Sequence, residues 1–367
     1  MKICHFMRKP SLSYAQESTR YISPSYHNLK LLSQPLSLRR IPLPTRRDFL
    51  VSTALTATAW QAALGTHVAT AVNHADINHG NLNATIGDNS AGPEHRAGYN
   101  GVWQLSHRTQ PRSIFVPGIA GLNLEHAITG AALKSDDEFF EPRRAPMQLT
   151  QLQPNEMQLY QSPTPLTHVE SWTTFKLEGE HYLDMDFRCR MQQGSFPYGY
   201  LALFWASYIN APLDKSMYFL GTMDGRSEQW LQLCTQVHND QSTVRHRDDE
   251  LDLQFADDGR PALYKSISPM RYTRPMFYGH VDDLIWCVMF DRHTGLRFTH
   301  SPTGGGFNQE RQTANPAWDF QYVIQNPELN RDYHFRLRSV LMPRCSRENL
   351  LSHYAIWQDH LKNTKDR

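Results

Sequence analysis

The chain lacks the motifs that would name a chemistry outright. No G-x-S-x-G elbow is present, which excludes the strand–turn–helix serine site of the α/β-hydrolases. Its triple glycine, Gly304-Gly305-Gly306, is not followed by G-K-[ST], so a phosphate loop is excluded. No histidine pair stands at the i, i+4 spacing of a helical zinc site. Cysteine is sparse: Cys189, Cys234, Cys287 and Cys345 follow the N-terminal region, none in a close pair with metal spacing. They read as small buried hydrophobes. Helix signals are scarce as well. Many strands without alternating helices exclude Rossmann and TIM-barrel architectures. No stretch after residue 72 is long and apolar enough to span a bilayer, which needs roughly 20 residues.

One end of the chain is nearly free of acids. Nine basic residues precede Asp48 against the single acid Glu17. Residues 1–44, rich in Ser and Pro, read as a disordered basic extension. Thr45-Arg46-Arg47-Asp48-Phe49-Leu50 then matches the pattern of a twin-arginine export signal, apart from a missing basic residue after the motif. The uncharged apolar residues 51–64 and the small-x-small site Ala69-Thr70-Ala71 follow in the right order. The expected signal covers residues 45–71, the mature chain starts at Val72, and the location is periplasmic or secreted. The export machinery is then a partner, and no stable membrane span remains after processing.

The whole chain carries +1, but from Val72 onward it has 28 Lys plus Arg against 34 Asp plus Glu. A mildly acidic mature chain argues against nucleic acid and against an anionic membrane surface.

Residues 72–100, rich in Asn, His and Gly, read as a flexible linker. Strand signals dominate afterwards. In residues 181–191, Leu183, Met185, Phe187, Cys189 and Met191 alternate with Asp184, Asp186, Arg188 and Arg190, as on a strand with one wet face. Residues 147–153 and 156–161 form an expected hairpin around Pro154-Asn155. Leu251, Leu253 and Phe255 alternate like a strand, and residues 284–290 read as a strand covered on both faces. Further strands are expected through Trp318, Phe320, Tyr322 and through Tyr333, Phe335, Leu337. At the C-terminus, Ser346 caps a helix whose Leu350, Tyr354, Trp357 and Leu361 share a face. The expected fold is all-β: one large two-sheet antiparallel sandwich over residues 101–345, of roughly 15 strands at a mean of about 5 to 6 residues each. A short helix and tail follow at residues 346–367.

Three stretches carry more polarity than a plain strand needs. In residues 230–250, Trp230, Gln236 and His238 share one strand face, suited to stack on a sugar ring and bond its hydroxyls; Arg245 and His246 follow. In residues 297–306, Arg297 offers a bidentate guanidinium and His300 an imidazole that titrates near neutrality. In residues 315–320, Asp319 is a partner for an imidazole or arginine, and Trp205 lies in an aromatic run nearby in character. His238 with His246, and His293 with His300, flank short segments, but their spacing compels no metal. No cofactor is expected.

The run from Asn100-Gly101-Val102-Trp103 onward, with Gln236-x-His238, Arg245-His246 and Phe298-Thr299-His300, resembles exported bacterial proteins with a galactose-mutarotase-like β-supersandwich. The resemblance implies sugar binding on a concave sheet face, with a histidine acid and a glutamate base. His238, His246 and His300 are candidates for the acid. No glutamate matches the base's context; Glu170 stands in for it. The expected function is an exported carbohydrate-binding or carbohydrate-processing protein. Its proton-transfer residues would be His238, His246 and His300. Gln236, Arg245, Arg297 and Asp319 would hold the substrate, and Trp205 or Trp230 would stack on it. The rivals are a non-catalytic glycan-binding or structural module and a metal-dependent hydrolase or lyase.

Overall fold

The chain folds on alternation, and the clearest alternating run, Tyr182–Met191, is the fourth strand from one end of a long ladder. The structure, a computed structural model, describes residues 72–365 except 224 and 226. The basic extension and the twin-arginine signal lie outside the described residues.

The first strands, β1 (His74–His79), β2 (Leu82–Gly87) and β3 (Gly101–His107), make a small antiparallel sheet. β4 (Asn123–Ile128) opens the large sheet, and two single-turn helices follow, α1 (Asp136–Phe139) and α2 (Glu141–Arg144). A four-strand meander comes next: β5 (Met147–Gln153), β6 (Glu156–Gln161), β7 (Val169–Glu178) and β8 (Tyr182–Met191). Then come β9 (Tyr200–Ala206), β10 (Met217–Met223), β11 (Gln229–Leu233) and β12 (Thr243–His246). β13 (Ile267–Tyr272), β14 (Met276–Val281), β15 (Leu284–Phe290) and β16 (Leu296–Ser301) follow. A short ribbon, β17 (Phe307–Asn308) and β18 (Thr313–Ala314), precedes β19 (Ala317–Gln325), β20 (Asp332–Pro343) and the helix α3 (Arg347–Lys365).

Fifteen of these strands form one continuous sheet. Its order is β4-β9-β19-β16-β12-β13-β10-β14-β15-β20-β8-β7-β6-β5, with β11 on β10. The ladder folds over on itself. Trp205 on β9 and Phe187 on β8 are far apart in strand order, yet their rings meet at 4.7 Å. Phe290 on β15 meets Phe320 on β19 at 4.9 Å. The core therefore lies between two layers, β4 to β12 and β14 to β5, joined through β13 and β10. The expected sandwich holds, with two refinements. The layers are halves of one sheet, and one pair, β12 with β13, is parallel.

Local packing explains the layers' close approach. Gly279 in β14 leaves room for the indole of Trp318; a Cβ there would sit 2.1 Å from the ring. Outside the second layer, Leu350, Trp357 and Leu361 of α3 bury against Met276, Ile285, Met289 and Val340. Ser346 accepts the Asn349 N–H and starts that helix, as its sequence indicates. The β5–β6 hairpin and the wet face of β8 also match expectation: Arg338 pairs across to Asp184 at 2.6 Å, and Arg188 lies 3.7 Å over Trp172. Cys189, Cys234, Cys287 and Cys345 are free. No helix among the described residues is long and apolar enough to cross a membrane.

Two sequence expectations fail. Residues 72–100 are not a linker throughout: β1 and β2 pair over six residues, with Ile77, Leu82, Ala84 and Ile86 buried in the main core. Residues 251–255 are not a strand, for a reason that belongs to the site below.

Replacing Trp357 with Ala removes the largest anchor of α3 and should lower stability by about 3 kcal/mol. Urea unfolding reads this directly, and a loss under about 1 kcal/mol would show that α3 is not part of the cooperative core.

Candidate functional site

Three arginines stand abreast on adjacent strands. Arg245 on β12 pairs across to Arg297 on β16 and to Arg271 on β13. Like charges in this register repel, and Arg297 is almost wholly buried. The segment after β12 supplies the compensation. Asp249 takes Arg297 bidentately, at 2.8 Å from Nε and 3.2 Å from Nη2. The Leu251 carbonyl accepts from Arg297 at 2.6 Å and from Arg245 at 3.0 Å. The Asp249 carbonyl accepts from Arg271 at 2.7 Å, and the Gln254 carbonyl from the Tyr200 hydroxyl at 2.8 Å. Side chains thus bond these carbonyls in place of a neighbouring strand. The apolar alternation at Leu251, Leu253 and Phe255 therefore folds as a covering loop, with Leu253 packed on Phe204 and Tyr264. Burial, together with Arg271 and Arg297, holds the Arg245 guanidinium below its ordinary value.

β12 ends at His246, and the turn after β15 carries His293. Gly295 closes that turn at φ +76°, and any Cβ there would meet the Val323 carbonyl at 2.3 Å. The two imidazoles stack with centroids 4.1 Å apart and planes 27° apart. Tyr272 braces both: its ring meets His246 at 5.1 Å, and its hydroxyl donates to the His293 carbonyl at 3.1 Å. The Asp248 N–H donates to His246 Nδ1 at 3.2 Å. The Thr273 backbone bonds the ring as well. Burial first, and His293 second, lower the His246 pKa, so the ring is neutral at pH 7. Ligand atoms of His246, Asp248 and His293 all lie within 4.8 Å of one another.

These groups open into a cleft of about 410 Å³. Asp249, Arg297, His246 and His293 lie among its walls; Glu250 and Arg292 add charge, and Tyr322 and Tyr333 add ring surface. Its volume falls in the usual range for small-molecule sites, about 300–1,000 Å³.

Sequence-derived candidates divide. His246 and Arg297 line the cleft, and Arg245 stands beside Arg297. His300 and His238 do not join them. Arg297 is the second residue of β16 and Ser301 its last, about 13 Å further along the strand. His238 bonds Ser301 Oγ at 2.9 Å. His300 bonds Thr235 Oγ1 at 2.7 Å and the Lys215 carbonyl at 2.8 Å, so both ring nitrogens are occupied. Burial lowers its pKa to about 4 and seals it from any substrate. Trp205 is fully buried and stacks on Phe320, so it offers no platform to a sugar. Trp230 packs against Tyr278 beneath Arg347, and Gln236 turns back to the Cys234 carbonyl. Asp319 is buried, accepting the Ser207 N–H at 2.9 Å. Glu170 is held by Tyr160 and Gln192 on β7 and is not part of the cleft wall.

Missed residues were Asp248, Asp249, Glu250, Arg292, Tyr322 and Tyr333. The acid run directly after Arg245-His246 was the available signal.

Neither a protein-family model nor a curated protein matches this chain. Among solved structures it is similar to a candidate aldose 1-epimerase from Escherichia coli K12, at 8% identity and a TM-score of 0.44, over 74% of this chain and 99% of that one. A 4-alpha-glucanotransferase from Thermococcus litoralis matches at 8% identity and a TM-score of 0.41, over 73% of this chain and 37% of that one. Heparan sulfate lyase HepC from Pedobacter heparinus matches at 11% and 0.36, over 72% and 34% respectively. At these identities and TM-scores the likeness carries neither reaction nor substrate to this chain.

Burial pushes the Asp319 carboxyl far above its ordinary range, and nearby Glu125 adds to the shift. The folded state therefore holds a proton that the unfolded state releases above about pH 4. Stability contributed by this group falls as pH rises from there, by up to about 1.4 kcal/mol per pH unit. Asp319→Asn keeps an acceptor for Ser207 and removes the titration. The variant should match or exceed wild type at pH 7, with the gap shrinking toward pH 4. Denaturant midpoints across that range test it, and a gap constant with pH would refute the assignment.

Proposed function

We propose that the protein is an exported carbohydrate-processing protein and that the cleft beside Arg297 and Asp249 is its sugar site. One observation carries the reading: acids, bases and guanidinium groups converge there with tyrosine rings in a cleft of small-molecule size. Polyhydroxylated ligands need this mixture. Carboxylates accept from hydroxyls, guanidinium donates to paired oxygens, and a phenol ring covers an apolar sugar face. Asp249 and Arg297 neutralise and orient each other, so they shape the floor. Glu250 and Arg292 are not paired with each other, Arg292 being held by Asp291 at 3.3 Å, and they are the groups that would grip the ligand. The imidazoles of His246 and His293 and the carboxyl groups of Asp248 and Glu250 supply donors and acceptors of protons in one cleft, which favours processing over passive binding.

The Arg46-Arg47 motif, the apolar run after it and the Ala69-Thr70-Ala71 site support export, and hence a sugar met outside the cytoplasm.

Glycan-array binding followed by a reducing-sugar assay on the hits tests the site. Glu250→Gln and Arg292→Ala should each weaken glycan binding about tenfold, or about 1.4 kcal/mol. His238→Ala, at the other end of β16, should leave it unchanged. Wild-type binding by both cleft variants would sink the site. Export is tested separately: in cell fractionation, replacing Arg46 and Arg47 with Lys should hold the full-length precursor in the cytoplasm. Unchanged export would refute the twin-arginine route.

A further inference from the structure

We propose that His246, His293 and Asp248 bind a divalent transition-metal ion of the zinc class at the cleft. The inference adds to the sugar-site reading by placing an ion beside that ligand. Its argument is independent of the sugar.

Donor chemistry comes first. Two imidazoles and one carboxylate form a nitrogen-rich set, which suits zinc and its neighbours over calcium or magnesium, cations that take oxygen cages. Spacing comes second. His246 Nδ1 and Asp248 Oδ2 are 3.6 Å apart, and ligand atoms at zinc–nitrogen distances sit about 3.3 Å apart across a tetrahedral edge. The widest separation within the trio, no more than 4.8 Å, is reached through Asp248 or His293, both exposed and free to adjust.

Orientation comes third. His246 Nδ1 faces Asp248: it accepts the Asp248 N–H at 3.2 Å, a bond that an ion would replace, and the Thr273 backbone bonds the ring as well. A ring N–H given to a backbone partner is how metal-binding histidines are held in tautomer and in plane. Tyr272 fixes the second histidine's turn from the same side, through the His293 carbonyl. Asp248 is not spent elsewhere. Its contact with Arg247 is long, 3.7 Å between mostly exposed side chains, and so it is readily exchanged for a metal bond. Three protein ligands leave a fourth position for water or a ligand oxygen, the arrangement of catalytic rather than structural zinc.

The test uses untagged full-length protein, stripped with chelator, dialysed and titrated with Zn²⁺ alone. One Zn²⁺ per chain is expected by calorimetry and by elemental analysis. His293→Ala and Asp248→Asn, both at exposed positions that fold without difficulty, should each weaken binding by at least about tenfold. His238→Ala should not. Absence of stoichiometric Zn²⁺, or wild-type affinity in both variants, would overturn the site. Zinc binding without any glycan binding would sink the sugar reading alone; glycan binding without zinc would sink the metal alone.

Discussion

A guanidinium buried in a sheet face sets the terms for this molecule. Taking the Arg297 charge out of water costs several kcal/mol unless a counter-charge and further acceptors meet it. Asp249 and the Leu251 carbonyl do so. Both lie on the segment that follows β12, so that segment is held across the sheet by electrostatics as well as by its apolar residues. The path of residues 249–265, the shape of the cleft and the position of Asp248 beside His246 all follow from that pairing. Removing one partner leaves a buried charge unpaired, which makes Arg297 and Asp249 positioning groups whatever ligand the cleft accepts.

How much of this was legible depends on whether the signal is local. β8 was readable because each residue declares its own face: Leu183 to Met191 buried, Asp184 to Arg190 turned to water. α3 was readable from its cap and stripe. β1 and β2 carried a weaker version of the same pattern, with Leu82, Ala84 and Ile86 at period two. Asn, His and Gly around them masked it, since composition outweighed period. At Leu251, Leu253 and Phe255 the pattern was genuine and the inference failed. Alternation states which side chains seek burial, but a strand also needs a partner for its backbone, and arginine side chains had taken that role.

The candidate site was half legible for a related reason. Arg245, His246 and Arg297 belong to it; His238, His300 and Trp205 do not. Proximity in sequence suggested His238 with His246 and His293 with His300. Register decides otherwise. Arg245 opposite Arg297 puts the end of β12 beside the start of β16, so His246 meets the turn that bears His293. Nothing in either segment alone encodes that meeting. Aromatic density misled in the same way: Trp205 belongs to a stack that holds the two layers together, and a ring needed at full burial cannot also face a ligand.

The two outer faces of the sandwich are covered in different ways, and the difference separates structure from function. α3 covers the second layer with apolar contacts that need no exact partner. The first layer is polar where the second, beneath α3, is apolar. Beyond the arginine row, Glu125 accepts from the Tyr208 hydroxyl at 2.5 Å and from Arg143 at 2.8 Å, and Thr243, Thr299 and Gln321 bond among themselves. Hydrocarbon at these positions would often be as stable or more so. A polar face also demands a cover that satisfies each group in turn, and loops with free carbonyls do this where a helix, its carbonyls already bonded, cannot. The first layer is therefore closed by segments held through replaceable hydrogen bonds. A ligand bearing hydroxyls or carboxylates competes for bonds of the same kind.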